Sequence, residues 1–269
     1  MSRPAAHEDS ARTAIEAGAA ALQDPRVLVH TTLQDAAERA GQDTAVALAA
    51  AVAERGSAHL VLTGGSGGQA LAEVLPAALE HAGLRPGAGL EEIHLWFGDE
   101  RFVERGHADR NDALAQPLVA AGVPEARLHR VPGPEEVADV QAAAQALRAE
   151  LERHGPADGR FDVIHLGLGP DAHVCSLFPG HDAALATGTT VAVRHSPKPP
   201  PERVSLTFEV IQRGREVMVV AASAGKAQAA ALGLGRPEVL TAPASCGRGE
   251  RTTWYLDAPA ASALSPVSS

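Results

Sequence analysis

Apolar residues along this chain fall into short runs, separated by longer stretches in which they recur three and four positions apart. Val27–Val29, His59–Leu62, Ile93–Phe97, Phe161–Leu166, Arg203–Thr207, Val217–Ala222 and Thr252–Leu256 have the length and composition of strands. Between them, Thr32–Arg55, Gln69–His81, Asp112–Ala121 and Pro134–His154 read as helices, and a further helix begins at Lys226. Pro197–Pro201 predicts an extended surface connection. Strands alternating with helices at this spacing predict an α/β fold, with a mostly parallel sheet covered by helices on both faces. No internal repeat or linker divides the chain, so one domain is expected over residues 1–269.

Composition changes this picture in three ways. Alanine is abundant and aromatics make up only 3% of residues, which favours helices packed closely on a sheet over an aromatic-rich sandwich. A formal charge of -10 argues against nucleic-acid and anionic-membrane partners, which attract clustered Lys and Arg. Cys175 and Cys246 are too few for a disulfide framework, and no basic leader or long apolar run is present, so a cytoplasmic protein is expected. A monomer and a homodimer are both compatible with the sequence. Lysine occurs only at Lys198 and Lys226, so an anionic ligand must be held by arginine, by backbone amides or by one of these two.

Three turns carry candidate chemistry. After the second strand, Gly64-Gly65-Ser66-Gly67-Gly68 opens a helix, and the free N–H groups of a helix start favour an anion such as phosphate. The same residues also suit a tight strand-to-helix turn, and the spacing matches neither a nucleotide P-loop nor a dinucleotide fingerprint. Asp99-Glu100-Arg101 delivers charge to the end of the third strand, where Arg101 can hold a phosphate bidentately or simply sit in a solvated turn. In Gly167-Leu168-Gly169-Pro170-Asp171-Ala172-His173, a histidine two residues from an aspartate can act as a base whose tautomer the carboxylate sets. A structural Asp–His hydrogen bond is the alternative there. Arg203 and Lys226 stand at element boundaries that can face the same sheet margin, and no His/Cys/Asp/Glu spacing suggests a metal.

Taken in order, Leu62–Ser66, Trp96–Val103, Gly167–His173 running on to Ser176–Gly180, Pro197–Pro200, Arg203–Thr207 and Lys226 resemble the 6-phosphogluconolactonase family, within the larger group that includes glucosamine-6-phosphate deaminases. The resemblance covers about residue 25 to residue 257, leaving flexible termini. It implies a three-layer, Rossmann-like sandwich and hydrolysis of 6-phospho-D-glucono-1,5-lactone to 6-phosphogluconate in the oxidative pentose phosphate pathway. No dissociable cofactor is implied. His173, oriented by Asp171, would activate water, while Gly64, Gly65, Ser66, Asp99, Arg101, Asn111, Arg203 and Lys226 would bind the sugar phosphate. Deaminases of the group continue the histidine turn into Phe-Asn-Glu-Pro; Ser176-Leu177-Phe178-Pro179 lacks that glutamate, which favours the lactonase over an amino-sugar-phosphate deaminase or isomerase. A non-catalytic phosphosugar-binding protein is the third reading. Four positions depart from the family pattern: Gly67-Gly68 for Thr/Ser-Pro, Arg110 for Ser, Ala172 for Gly and Ser223 for Gly. If the glycine replaced by Ala172 serves a positive φ, alanine there costs about 1 kcal/mol or more and shifts His173.

Overall fold

The computed structural model describes residues 5–264. Its elements run α1 (Ala5–Ala20), β1 (Arg26–His30), α2 (Leu33–Arg55), β2 (Ala58–Leu62), α3 (Gly65–His81), β3 (Ile93–Phe97), β4 (Asp99–Arg101), α4 (Gln116–Ala121), α5 (Val140–His154), β5 (Val163–Gly167), β6 (Thr190–Val193), β7 (Arg203–Leu206), α6 (Phe208–Ile211), β8 (Glu216–Ala221), α7 (Ala227–Gly233) and β9 (Arg251–Asp257). Six strands form one wholly parallel sheet in the order β1-β9-β8-β5-β2-β3.

Alternation along the strands divides the core into two layers. Leu60, Leu62, Leu95, Phe97, Val163 and Met218 meet α2, α3 and α4 on one face, while Val61, Trp96, Ile164, Leu166, Val219 and Trp254 meet α1, α5 and α7 on the other. Helix α2 starts where Thr32 and Asp35 cap each other reciprocally and stops at Gly56, whose φ is 77°.

Several elements differ from the sequence reading. The expected flexible N-terminal end contains α1, whose Ala11, Ile15 and Ala19 are buried at four-residue intervals. Gln212 donates to the Ile15 carbonyl and Glu16 accepts from the Val239 amide, fixing that helix to the segments that follow α6 and α7. The outermost ends of the expected 1–269 domain lie outside the described residues. Helix α5 begins at Val140 rather than Pro134, because Asp139 takes the N-cap and accepts from the Ala142 amide. Residues 111–115 form a 3-10 turn ahead of the shorter α4. Asp99–Arg101 and Arg203–Leu206 pair antiparallel, with β6 alongside, in a separate sheet ordered β4-β7-β6.

Buried histidines give the fold a defined acid sensitivity. His59, His94 and His129 stack beside Trp96, and His165 lies behind Thr44 at 2.8 Å. Burial pushes His59 and His165 down to about 3 and His94 to about 4, and it also lowers His129. In the unfolded chain these imidazoles charge near 6.5, so the folded state binds fewer protons below that pH. Stability is therefore expected to be full above about pH 6.5 and to fall toward about pH 4, by up to about 1.4 kcal/mol per pH unit for each group. Urea midpoints compared at about pH 7 and about pH 5 check this; equal midpoints would contradict it.

Candidate functional site

Strands β2 and β5 are neighbours, but the chain leaves β2 toward β3 and reaches β8 from β5 on the other side. The carboxyl ends of such a pair leave a crevice in an open parallel sheet. The two turns there are joined directly, since the Gly167 amide donates to Thr63 Oγ1 at 2.9 Å. Between them lies a cavity of about 270 Å³ lined by residues that include Gly64, Gly65, Ser66, Asp99, Arg101, His173, Arg203 and Lys226. A larger open groove of about 730 Å³ occupies the opposite sheet margin. Most of its arginines are already matched with carboxylates, as in Arg39–Asp43, Arg55–Asp162 and Arg251–Glu216. The convergent chemistry is in the smaller cavity.

The glycine turn is shaped by close backbone approach. Gly65 has φ 77°, and a Cβ on Gly67 or Gly68 would stand 2.3 Å from the Val220 carbonyl oxygen or 1.8 Å from that of Thr63. The hydroxyl side chain usual in the family therefore has no room at Gly67. Gly64 caps α3 without a side-chain hydrogen bond, so the leading amides of a 17-residue helix point at the cavity with their dipole.

Asn111 braces this turn from behind: a Cβ on Gly64 would lie 2.3 Å from its Oδ1, and its Nδ2 donates to the Asp99 carbonyl at 2.8 Å. Asn111 itself is held by Glu100, a fully buried carboxylate that accepts from the amides of Arg101, Asn111 and Asp112. Burial pushes Glu100 up to about 7 against those donors. Asp99 accepts from Ser176 Oγ at 2.6 Å and faces Arg203 at 3.8 Å. Arg110, the extra cation near this turn, points inward to Asp112 Oδ2 at 3.0 Å and adds no charge to the cavity lining.

At the histidine turn, His173 Nδ1 lies 2.6 Å from Asp171 Oδ1. A carboxylate can only accept, so Nδ1 carries the proton and Nε2 keeps its lone pair. Burial lowers His173 below the ordinary imidazole range, although Asp171 pulls the other way. Burial opposes ionisation of Asp171, yet hydrogen bonds from His173 and Lys198 outweigh it and hold the carboxyl below its usual range. The pair is thus a neutral imidazole beside a carboxylate at neutral pH.

Eight of the ten residues singled out in the sequence line the cavity; Asp171 and Asn111 stand just behind His173 and Gly64. Lys198 was missed as a site residue. Its Nζ reaches Asp171 Oδ1 at 3.1 Å, and it lines the same cavity as Lys226. The available signal was scarcity, because both lysines of the chain converge on one site.

Two departures from the family's glycines prove to sit at positive φ: Ala172 at 62° and Ser223 at 84°. Left-handed backbone costs an L-residue about 1–2 kcal/mol. Ser223 is exposed, so Ser223→Gly is expected to stabilise the fold by about 1 kcal/mol after the entropy of glycine is counted. Ala172 is fully buried, and Ala172→Gly gives up a packed methyl of about 0.8 kcal/mol, leaving little net change. Urea denaturation of the two variants distinguishes these outcomes.

The model of the family described as glucosamine-6-phosphate isomerases/6-phosphogluconolactonase matches residues 31–254. A 6-phosphogluconolactonase of Streptomyces coelicolor is 41% identical over 252 residues, 89% of this chain and 95% of that protein. The Homo sapiens 6-phosphogluconolactonase is 35% identical over 237 residues, 83% and 90% of the respective chains. The solved 6-phosphogluconolactonase from Trypanosoma brucei shares the fold, with a TM-score of 0.76 and 24% identity across 90% of this chain and 99% of that one. With the motif order, the parallel sheet and these matches in agreement, the chain belongs to the 6-phosphogluconolactonase family, within the glucosamine-6-phosphate isomerase/6-phosphogluconolactonase superfamily.

Proposed function

We propose that this chain hydrolyses 6-phospho-D-glucono-1,5-lactone to 6-phosphogluconate, a step of the oxidative pentose phosphate pathway. The observation that carries the reading is the single cavity shared by the α3 amides and the His173–Asp171 pair. At about 270 Å³ it lies near the small end of ligand pockets, suited to one phosphorylated sugar.

The phosphate rests on the amides of Gly65, Ser66 and Gly67, with Arg101 and Lys226 as counter-charges. Arg101 Nε is buried without a partner among the described residues, which leaves it a donor for an anion. Binding the phosphate places C1 of the lactone beside His173. Nε2 of His173 takes a proton from water as the water oxygen bonds to C1, and Asp171 stabilises the imidazolium that forms. The tetrahedral oxyanion is met by a backbone amide of the 167–173 turn. Collapse breaks the bond between C1 and the ring oxygen, and the imidazolium returns its proton to that oxygen. The carboxylic acid so formed gives its own proton to solvent at neutral pH and leaves as 6-phosphogluconate.

The purified chain, mixed with lactone generated in situ, should open the ring well above the spontaneous rate. A rate equal to the spontaneous background, or ammonia release from glucosamine 6-phosphate, would overturn the assignment.

A further inference from the structure

The connection at Pro197–Pro201 turns back over the cavity instead of running free on the surface. Arg203, at the start of β7, is nine-tenths buried and spends its guanidinium on that connection. Its Nε donates to the Pro200 carbonyl at 3.2 Å, and one terminal nitrogen donates to the carbonyls of Lys198 at 3.1 Å and Pro199 at 3.0 Å. The other terminal nitrogen faces Asp99. Ser196 Oγ adds a bond to the Lys198 carbonyl at 2.9 Å. The main chain on both sides of Lys198 is therefore fastened to the small sheet, and its ammonium donates to Asp171 Oδ1 at 3.1 Å, the same oxygen that accepts the His173 Nδ1 proton, which leaves the ammonium 3.3 Å from Nδ1.

We propose that Lys198 is a positioning residue for the His173 base, sharing one carboxylate oxygen with the imidazole so that the ring stays neutral with Nε2 directed to substrate, and that Arg203 is the clamp that delivers it. The proposal rests on reading His173 as the base.

The physical reason lies in the balance of charge around the ring. A carboxylate alone beside an imidazole favours the imidazolium, which cannot accept a proton from water. Asp171 from the same turn and Asp99 from β4 act in that direction. Lys198 opposes them, offsetting the charge of Asp171 and repelling a second proton on the ring. The remaining charged groups of the cavity, Arg101, Arg203 and Lys226, are all cationic. The Cys175 thiol is pushed well above its ordinary range by burial and stays neutral. Phe178, whose ring centroid is 4.5 Å from that of His173, keeps the imidazole from swinging away from this pair.

Lys198→Met keeps the aliphatic stem and removes the charge; Lys198→Arg keeps the charge. Two quantities are read for each: the acid limb of kcat/KM against pH, and the NMR titration midpoint of the His173 imidazole. Lys198→Met is expected to move both upward by about one pH unit, the low end for loss of a partly exposed neighbouring charge, while Lys198→Arg returns both toward wild type. If Lys198→Met only raises KM and leaves both midpoints in place, Lys198 is a substrate counter-charge and the proposal fails. An imidazole midpoint that moves while the acid limb stays would uphold the hold of Lys198 on His173 and overturn His173 as the base.

Discussion

Replacing His173 with alanine is expected to lower kcat for lactone opening by about a hundredfold or more, with KM nearly unchanged. The imidazole is the one neutral base on the cavity wall whose free nitrogen is defined by its hydrogen bond, since Nδ1 keeps its proton and donates it to Asp171. Removing it leaves the α3 amides, Arg101 and Lys226 in place, so the phosphate grip survives and the loss falls on the chemical step. The ring is partly exposed at the cavity, with 15% side-chain exposure, so the melting temperature should change little. The measurement is turnover of lactone generated in situ, with spontaneous hydrolysis subtracted, beside a thermal melt. Turnover within a few-fold of wild type would remove His173 from the reaction.

A single methyl group on Gly169 should have an effect nearly as large. A Cβ at that position would lie 1.9 Å from His173 Nδ1 and 2.6 Å from Asp171 Oδ1, far inside van der Waals contact. The turn cannot open freely, because the Gly169 amide donates to the His173 carbonyl at 2.9 Å and the Ala172 amide to the Gly169 carbonyl at 3.0 Å. Phe178 limits how far the ring can tilt. The imidazole and carboxylate must therefore separate, and a misplacement of about 1 Å in a catalytic group can cost a hundredfold in rate. Gly169→Ala is expected to lose about tenfold to a hundredfold in kcat. The double variant with His173→Ala should be no slower than His173→Ala alone, since both changes remove the same function. Additive losses would show that Gly169 matters for some other reason.

Much of the fold was legible because the period of apolar residues reports burial. Six of the seven predicted strands occur in the parallel sheet, and their alternation sorts residues such as Val61 and Leu62 onto opposite faces. The seventh, at Arg203, was recognised as a strand but its sheet was not. Pairing of β7 with β4 joins residues about a hundred positions apart, and a three-residue strand such as Asp99–Arg101 carries no period to read. Helix α1 escaped notice for the opposite reason: its alanines pack well but contribute weakly to any hydrophobic pattern.

For the site, residue type and order along the chain were sufficient to single out the glycine turn, the Asp171–His173 pair and the importance of two rare lysines. Backbone geometry could be anticipated too, since glycine positions in related motifs mark where φ turns positive, and Ala172 and Ser223 adopt that geometry without glycine. Only the tertiary structure decided the assignment of partners. Hydrogen-bond donors are shared according to distance, and distance across a sheet margin is set by strand order, not by separation along the chain. That is why Arg203, grouped in the sequence with the phosphate-binding cations, is occupied by the carbonyls of 198–200. It is also why Arg110 turns inward to Asp112, while Lys198 comes to rest on Asp171.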